Sequence, residues 1–220
     1  MQYPLPLCLP PVFAEDNFFV SPCNREAYRW VAAWPDWPGH ALLLYGAAGC
    51  GKSHLGHVWM ARAAAGMVEA ADMPGMPPEA LRGNMLIENI ERLGDARALL
   101  HAFNYARENG SQLLLTSGVP PHSLPFTLPD LMSRLLALPA AHIDQPDDDL
   151  LAAAMRKQFA DRQMKVDEEV VAYVLPRIER SLGEVARVVK WLDGCALAEH
   201  KDITVRFVRR MLSIPSPLES

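Results

Sequence analysis

Residues 46–53 read Gly-Ala-Ala-Gly-Cys-Gly-Lys-Ser, which fits G-x-x-x-x-G-K-[ST]. The context constrains the fold as much as the loop does. Residues 41–45, Ala-Leu-Leu-Leu-Tyr, are a short apolar run that ends at Gly46 and reads as a buried parallel strand. Residues 52–65 read as a helix. In a strand–loop–helix of this kind the glycines let the backbone turn tightly and aim N–H groups at a phosphate. The helix behind adds free N–H groups and the positive end of its dipole. Lys52 is expected to reach β and γ phosphates and Ser53 to hold Mg²⁺, with Ala48, Gly49, Cys50, Gly51 and His54 lining the same site. A glycine-rich turn with an incidental lysine is the alternative.

The strand–helix grammar repeats. Residues 24–34 read as a first helix with Asn24 as its cap, 85–90 as a strand, 95–109 as a helix ended by Asn109-Gly110, and 112–116 as another buried strand. Alternation of this kind implies an α/β fold, a parallel sheet flanked by helices. Residues 67–84, rich in Met, Pro and Gly, give no clear assignment. After Pro146 the pattern changes. Residues 148–162, 167–180, 182–199 and 204–212 read as helices, with Pro176 expected to kink the second. The expected organisation is an extended tail over 1–12, an α/β nucleotide-binding domain over 13–145 and a small all-helical domain over 146–220. Pro4, Pro6, Pro10 and Pro11 exclude a helix or a central strand in the tail.

Composition narrows the class. The net charge is −5, which argues against binding nucleic acid through a global positive field, although a local basic patch stays open. Cys8, Cys23, Cys50 and Cys195 form no C-x-x-C pair and no zinc-like spacing, and read as free thiols in a reducing compartment. No basic segment followed by a long apolar run opens the chain, and no stretch of 18 apolar residues occurs. The expectation is a cytoplasmic protein with no membrane association. His54 and His57 are three apart on one helix without an evident third metal ligand. Trp30, Trp34 and Trp37 read as packing residues, Cys50 as a loop filler, and the arginines at 177, 180, 187, 206, 209 and 210 as a solvated basic face.

The words around the loop resemble one family, the DnaA-related AAA+ proteins. Gly51-Lys52-Ser53-His54-Leu55 resembles the family's G-K-[ST]-H-L. Asn17-Phe18-Phe19-Val20, then Pro22, Asn24 and Arg25, resembles the entry to the adenine pocket, which implies that Phe19, Val20 and Asn24 line it. Met85–Ile90 resembles the Walker B strand, and Leu115-Thr116-Ser117 with Pro120-Pro121 resembles sensor I. Leu128–Leu135 resembles the arginine-finger segment, with Arg134 as the finger, and the helices after 146 resemble the lid. Within the family the likeness is to the Hda regulators. Gln2-Tyr3-Pro4-Leu5-Pro6-Leu7 resembles their sliding-clamp docking motif, with Gln2, Leu5, Pro6 and Leu7 as contacts, and the chain stops at Ser220 without a helix-turn-helix reader of origin DNA.

This resemblance implies a regulator of replication initiation. It would bind ADP or ATP with Mg²⁺, dock on the DNA polymerase III β sliding clamp, and stimulate hydrolysis of ATP bound to DnaA through Arg134. It implies no direct sequence-specific DNA binding and leaves a homo-oligomer open. Three positions depart from the family pattern, and each touches hydrolysis in the chain's own site. Glu88-Asn89 stands for the acidic pair, so Glu88 keeps a metal-orienting and catalytic carboxylate while Asn89 cannot act as a base; an asparagine there also resembles Hda. Gly118 stands at the sensor I aspartate, and Gly183 at the lid's sensor II arginine, with Arg187 one turn later as a substitute. The expectation is a site that binds nucleotide and hydrolyses it weakly. A self-sufficient DnaA-like or helicase-loader ATPase and a catalytically silent clamp adaptor remain as alternatives.

Overall fold

In the computed structural model of the chain, residues 18–213 are described; the tail and its expected docking residues Gln2, Leu5, Pro6 and Leu7 lie outside them. The first part runs α1 (Arg25–Ala32), β1 (Ala41–Tyr45), α2 (Lys52–Ala63), β2 (Gly66–Glu69), β3 (Met85–Glu88), α3 (Ala96–Asn109), β4 (Leu113–Ser117), α4 (Pro129–Ala137) and β5 (Ala140–His142). Four helices follow: α5 (Asp148–Asp161), α6 (Glu168–Val174), α7 (Leu182–Glu199) and α8 (Val205–Leu212).

The five strands form one sheet in the order β2-β3-β4-β1-β5, with every pair parallel. Parallel strands buried on both faces need side chains that are apolar at every position, which is why β1 and β4 read as unbroken leucine runs. Their alternation feeds two cores. Leu43, Ile87 and Leu115 point to one face and meet Leu99 and Phe103 of α3 with Leu131 and Leu135 of α4. Leu42, Leu44, Leu86 and Leu114 point to the other and meet Ala27 and Val31 of α1 with Leu55 and Trp59 of α2. Helices α5–α8 close a third core of their own around Met155, Phe159, Val174, Val189 and Val208. Leu114 is fully buried in the central strand. Leu114→Ala is therefore expected to cost about 2–5 kcal/mol, measured as a lowered urea midpoint at unchanged m value.

Several expectations are corrected. Residues 67–84, unassigned in the sequence, hold all but the first residue of β2, an edge strand whose first two residues are exposed and which therefore lacks an apolar run. The three-residue edge strand β5 also carries too little pattern to read. β3 stops at Glu88, not 90, because Asn89 adopts a left-handed conformation (φ 57°, ψ 51°) and Ile90 opens a 3-10 turn. Pro176 ends the second helix of the C-terminal part instead of kinking it; α6 stops at Val174 and a 3-10 turn covers Leu175–Arg177. Asn24 stands at the start of α1 but makes no side-chain cap. Asp95, Asp147, Ser181 and Thr204 do cap α3, α5, α7 and α8. Among the described residues no helix is long and apolar enough to cross a membrane.

Candidate nucleotide site

β1 delivers the chain to residues 46–51 at the C-terminal end of the sheet, where open parallel sheets bind their ligands. The Gly46 amide donates to the Ser117 carbonyl (3.1 Å), pinning the loop's first residue to the end of β4. Gly49 (φ 74°) and Gly51 (φ 110°) take left-handed backbone that other residues resist, and Gly51 turns the chain into α2. Ala47, Ala48 and Gly49 are exposed at the rim, as is Ser53 in the first turn of α2. Lys52 is nearly buried (8% exposed), and its Nζ lies inside the loop, donating to the Gly46 carbonyl (2.7 Å) and the Ala47 carbonyl (2.8 Å). An ammonium held by two carbonyls, beside a helix N-terminus, is a cationic bowl that suits a polyphosphate. Cys50 is buried beneath it; burial pushes its thiol above the ordinary range while the nearby Lys52 charge pulls the other way. That environment suits packing rather than an activated nucleophile.

The acidic side is built by β3 and the turn after it. Glu88 is 6% exposed, and its Oε1 is buried without a hydrogen-bond partner. A buried, unpartnered carboxylate oxygen is costly alone and fits a cation-binding role. Asn89 donates its backbone N–H to Thr116 Oγ1 (3.0 Å) and its side-chain amide to Glu69 Oε2 (3.0 Å). Asparagine tolerates the left-handed backbone here, and its Nδ2 is engaged by a carboxylate from β2. Set together, the glycine bowl, Lys52, Ser53 and the orphaned oxygen of Glu88 fit a nucleotide phosphate chain with a divalent cation.

On the opposite flank Asn24 is 2% exposed; its Nδ2 donates to the Phe19 carbonyl (2.9 Å) and its Oδ1 accepts the Ser21 amide (2.9 Å). The side chain folds the 19–21 turn instead of capping α1. Phe19 and Val20 stand exposed at 38% and 46%. Phe18 lies parallel to Tyr28 (5.7 Å between ring centroids) and edge-on to His54 (5.4 Å). Phe18 and Tyr28 thus link the N-terminal segment to the start of α2. Sequence reading named neither as a site residue, although Tyr28 lies one helical turn after Asn24.

α7 closes the site from the C-terminal part. The Leu182 amide donates to the Gly49 carbonyl (3.0 Å), and a Cβ on Gly49 would lie 2.5 Å from the Ser181 Cβ. The first turn of α7 therefore abuts the loop, and Gly183 within it offers no side chain to a phosphate. Arg187 faces Glu184, which binds it through two hydrogen bonds and raises its pKa above the ordinary arginine value, so it stands paired rather than free to replace a cation at 183. Arg134 lies on α4, with its guanidinium fixed by Asp130 (3.2 Å from Nε and 3.2 Å from Nη2) and by Asn104 Oδ1 on α3 (2.9 Å from Nη1). These partners belong to α3 and α4, not to the phosphate loop, and the side chain keeps 28% exposure.

The parallel sheet, the loop at its C-terminal edge and the helical bundle resting on that loop have the architecture of the AAA+ P-loop fold. Residues 147–212 match the family described as Hda, lid domain. The chain is 25% identical to the chromosomal replication initiator protein DnaA of Thermomicrobium roseum over 90% of its own length and 48% of that protein, so it spans about half of this relative. Its fold superposes on domain III of the Thermotoga maritima replication initiation protein DnaA with a TM-score of 0.79 at 20% identity, covering 90% of this chain and 95% of that one. AMPPCP-bound DnaA from Aquifex aeolicus gives 0.71 at 21% identity over 84% of this chain and 66% of that one. The chain is thus similar to the Hda lid family over its C-terminal helices and to DnaA over most of its length.

Proposed function

We propose that the chain is a regulator of replication initiation that acts on DnaA. In this reading residues 13–145 bind adenine nucleotide, and residues 146–220 serve as the lid. Lys52 and the 48–51 backbone hold the phosphates, with Ser53 and Glu88 holding Mg²⁺, while Phe19, Val20 and Asn24 flank the base. When bound, the nucleotide and cation would supply a charged phosphate chain at the loop, which the first turn of α7 already meets through the Leu182 amide and the Gly49 carbonyl. Arg134 works elsewhere, inserting into the ATP site of DnaA to stabilise charge on the transferred phosphoryl group.

One observation carries this reading: the Arg134 guanidinium is held in a defined pose by helices α3 and α4 and has no contact with its own phosphate loop. Three of its five N–H donors are used, which leaves two for a partner's phosphate oxygens. The chain's own site, by contrast, has Asn89 tied to Glu69 and glycine at 183. The discriminating measurement is ATP hydrolysis by the purified chain alone and mixed with ATP-loaded DnaA in the presence of DNA-loaded clamp. Slow hydrolysis alone and rapid hydrolysis in the mixture are expected; rapid turnover alone would favour a self-sufficient ATPase.

Docking on the clamp falls to the N-terminal segment. Its leucines suit an apolar groove, and its prolines reduce the entropy lost on binding. Deleting residues 1–7 is expected to abolish clamp binding in a pull-down while leaving nucleotide binding unchanged. Retained clamp binding would remove this part of the proposal.

A further inference from the structure

The C-terminal helices carry a basic face that the nucleotide site does not use. Helix α8 turns Phe207, Val208 and Met211 into the core of the bundle and leaves Arg206, Arg209 and Arg210 exposed. Arg209 and Arg210 follow Arg206 by three and four residues, so the three side chains share one side of the helix. Tyr173 of α6 joins this row to a second element. The Arg177 guanidinium lies 3.8 Å from the Tyr173 ring centroid and donates to the Tyr173 carbonyl (2.7 Å), and the Arg209 guanidinium lies 5.7 Å from the same centroid. One ring thus holds both charges within about 10 Å, the Debye length at 0.1 M salt. Arg210 is neutralised by Glu199, which also binds Lys201, and Arg180 by Asp148 (3.1 Å). Among the described residues Arg177, Arg206 and Arg209 form no salt bridge.

We propose that Arg177, Arg206 and Arg209 bind the phosphate backbone of duplex DNA without reading its sequence. Like charges gathered without a carboxylate repel one another, and phosphate oxygens between them relieve that repulsion. A guanidinium suits this role because its planar N–H fork matches two oxygens of one phosphate. The form of the surface selects the kind of polyanion. Proteins hold unpaired strands by stacking bases on aromatic side chains, and the Tyr173 ring is already covered by Arg177. An interfacial helix needs apolar side chains that can enter the lipid, and those of α8 are buried in the bundle core. What remains is a row of charges fixed on two packed helices, which suits the continuous phosphates of a duplex. The chain as a whole carries a net charge of −5, so the patch decides which side of the protein approaches DNA. This contact is independent of the role proposed for Arg134.

The test is fluorescence anisotropy of a short fluorescein-labelled DNA duplex with the full chain over a salt series. Three phosphate contacts predict a slope of about −2.7 in log K against log salt, so binding at about 200 mM salt should be about 40-fold weaker than at about 50 mM. Arg177→Gln, Arg206→Gln and Arg209→Gln are each expected to reduce the slope by about one and to weaken binding alike on duplexes of unrelated sequence. Arg107→Gln, on α3 of the sheet-bearing part, is expected to bind the duplex as the unsubstituted chain does. Thermal melts identify a variant that does not fold, and the remaining single variants then decide. Absence of duplex binding at the lowest salt overturns the proposal, as does a slope unchanged in all three variants or an equal loss in Arg107→Gln. Tighter binding to a single strand would mark a base-stacking surface, and binding to phosphatidylglycerol vesicles but not to the duplex would assign the patch to lipid; either result overturns the proposal.

Discussion

Arg134→Ala is expected to abolish stimulation of ATP hydrolysis on DnaA, with a loss of about 10³–10⁵-fold, the range for arginine fingers in nucleotide hydrolysis. The magnitude follows from where the charge develops. In the transition state negative charge spreads over the equatorial oxygens of the transferred group, and a guanidinium delivered into a water-excluded interface meets it with two N–H bonds. The substitution should leave the fold intact, because Arg134 is held by polar contacts to Asp130 and Asn104 and not packed in either core of the sheet. Its ion pair with Asp130 is partly exposed, with side chains at 28% and 56%, and contributes at most about 1 kcal/mol. Unchanged melting and nucleotide affinity together with lost stimulation is the expected signature. Arg134→Lys should recover little, since an ammonium cannot reproduce the planar fork. Full stimulation by Arg134→Ala would end the proposed role.

Gly46→Ala is expected to have the second largest effect, on the chain's own site. A Cβ there would run into the backbone carbonyl of Ile143, with Cys50 Sγ 3.0 Å away on another side. The nearer obstacle is backbone and cannot swing aside, and the Cys50 side chain is itself buried. The carbonyl belongs to the segment just after β5, and the Gly46 amide is committed to Ser117. Relief must come from moving the start of the loop, which carries the two carbonyls that position Lys52 Nζ. A displacement of about 1 Å at such a site costs about 10²-fold in affinity or rate, and the overpacking itself about 1–3 kcal/mol. Isothermal titration with ADP and a urea melt would measure both. Wild-type affinity in Gly46→Ala would show that the loop tolerates the shift and that its pose here is not what binds phosphate.

The fold was legible where the chain is buried on both sides. β1 and β4 are apolar at every position because helices cover both faces of the sheet, and their boundaries could be read to within a residue. The phosphate loop was legible for a related reason: backbone that must take left-handed angles at Gly49 and Gly51 leaves its mark in residue type. β2 and β5 were not legible, since an edge strand half open to water, or one of three residues, needs no apolar run. Asn24 shows the limit of capping rules. The residue type suited a cap, yet its two polar atoms went to Phe19 and Ser21, a choice set by the turn that tertiary packing placed beside α1.

The candidate site divides along the same line. Residue type alone marked the glycine-rich loop motif and left Asn89, Gly118 and Gly183 without a titratable side chain, because those properties reside in covalent chemistry. The tertiary structure decided what each neighbour does with the space and charge left over. It brought the first turn of α7 against Gly49, turned Asn89 to Glu69, paired Arg187 with Glu184, set Arg134 between Asp130 and Asn104, and filled the gap at Gly118 with the carboxylate of Glu91. These are contacts between segments far apart in the chain or orientations chosen by packing, and linear spacing does not encode the distance between a sheet end and the turn that folds over it.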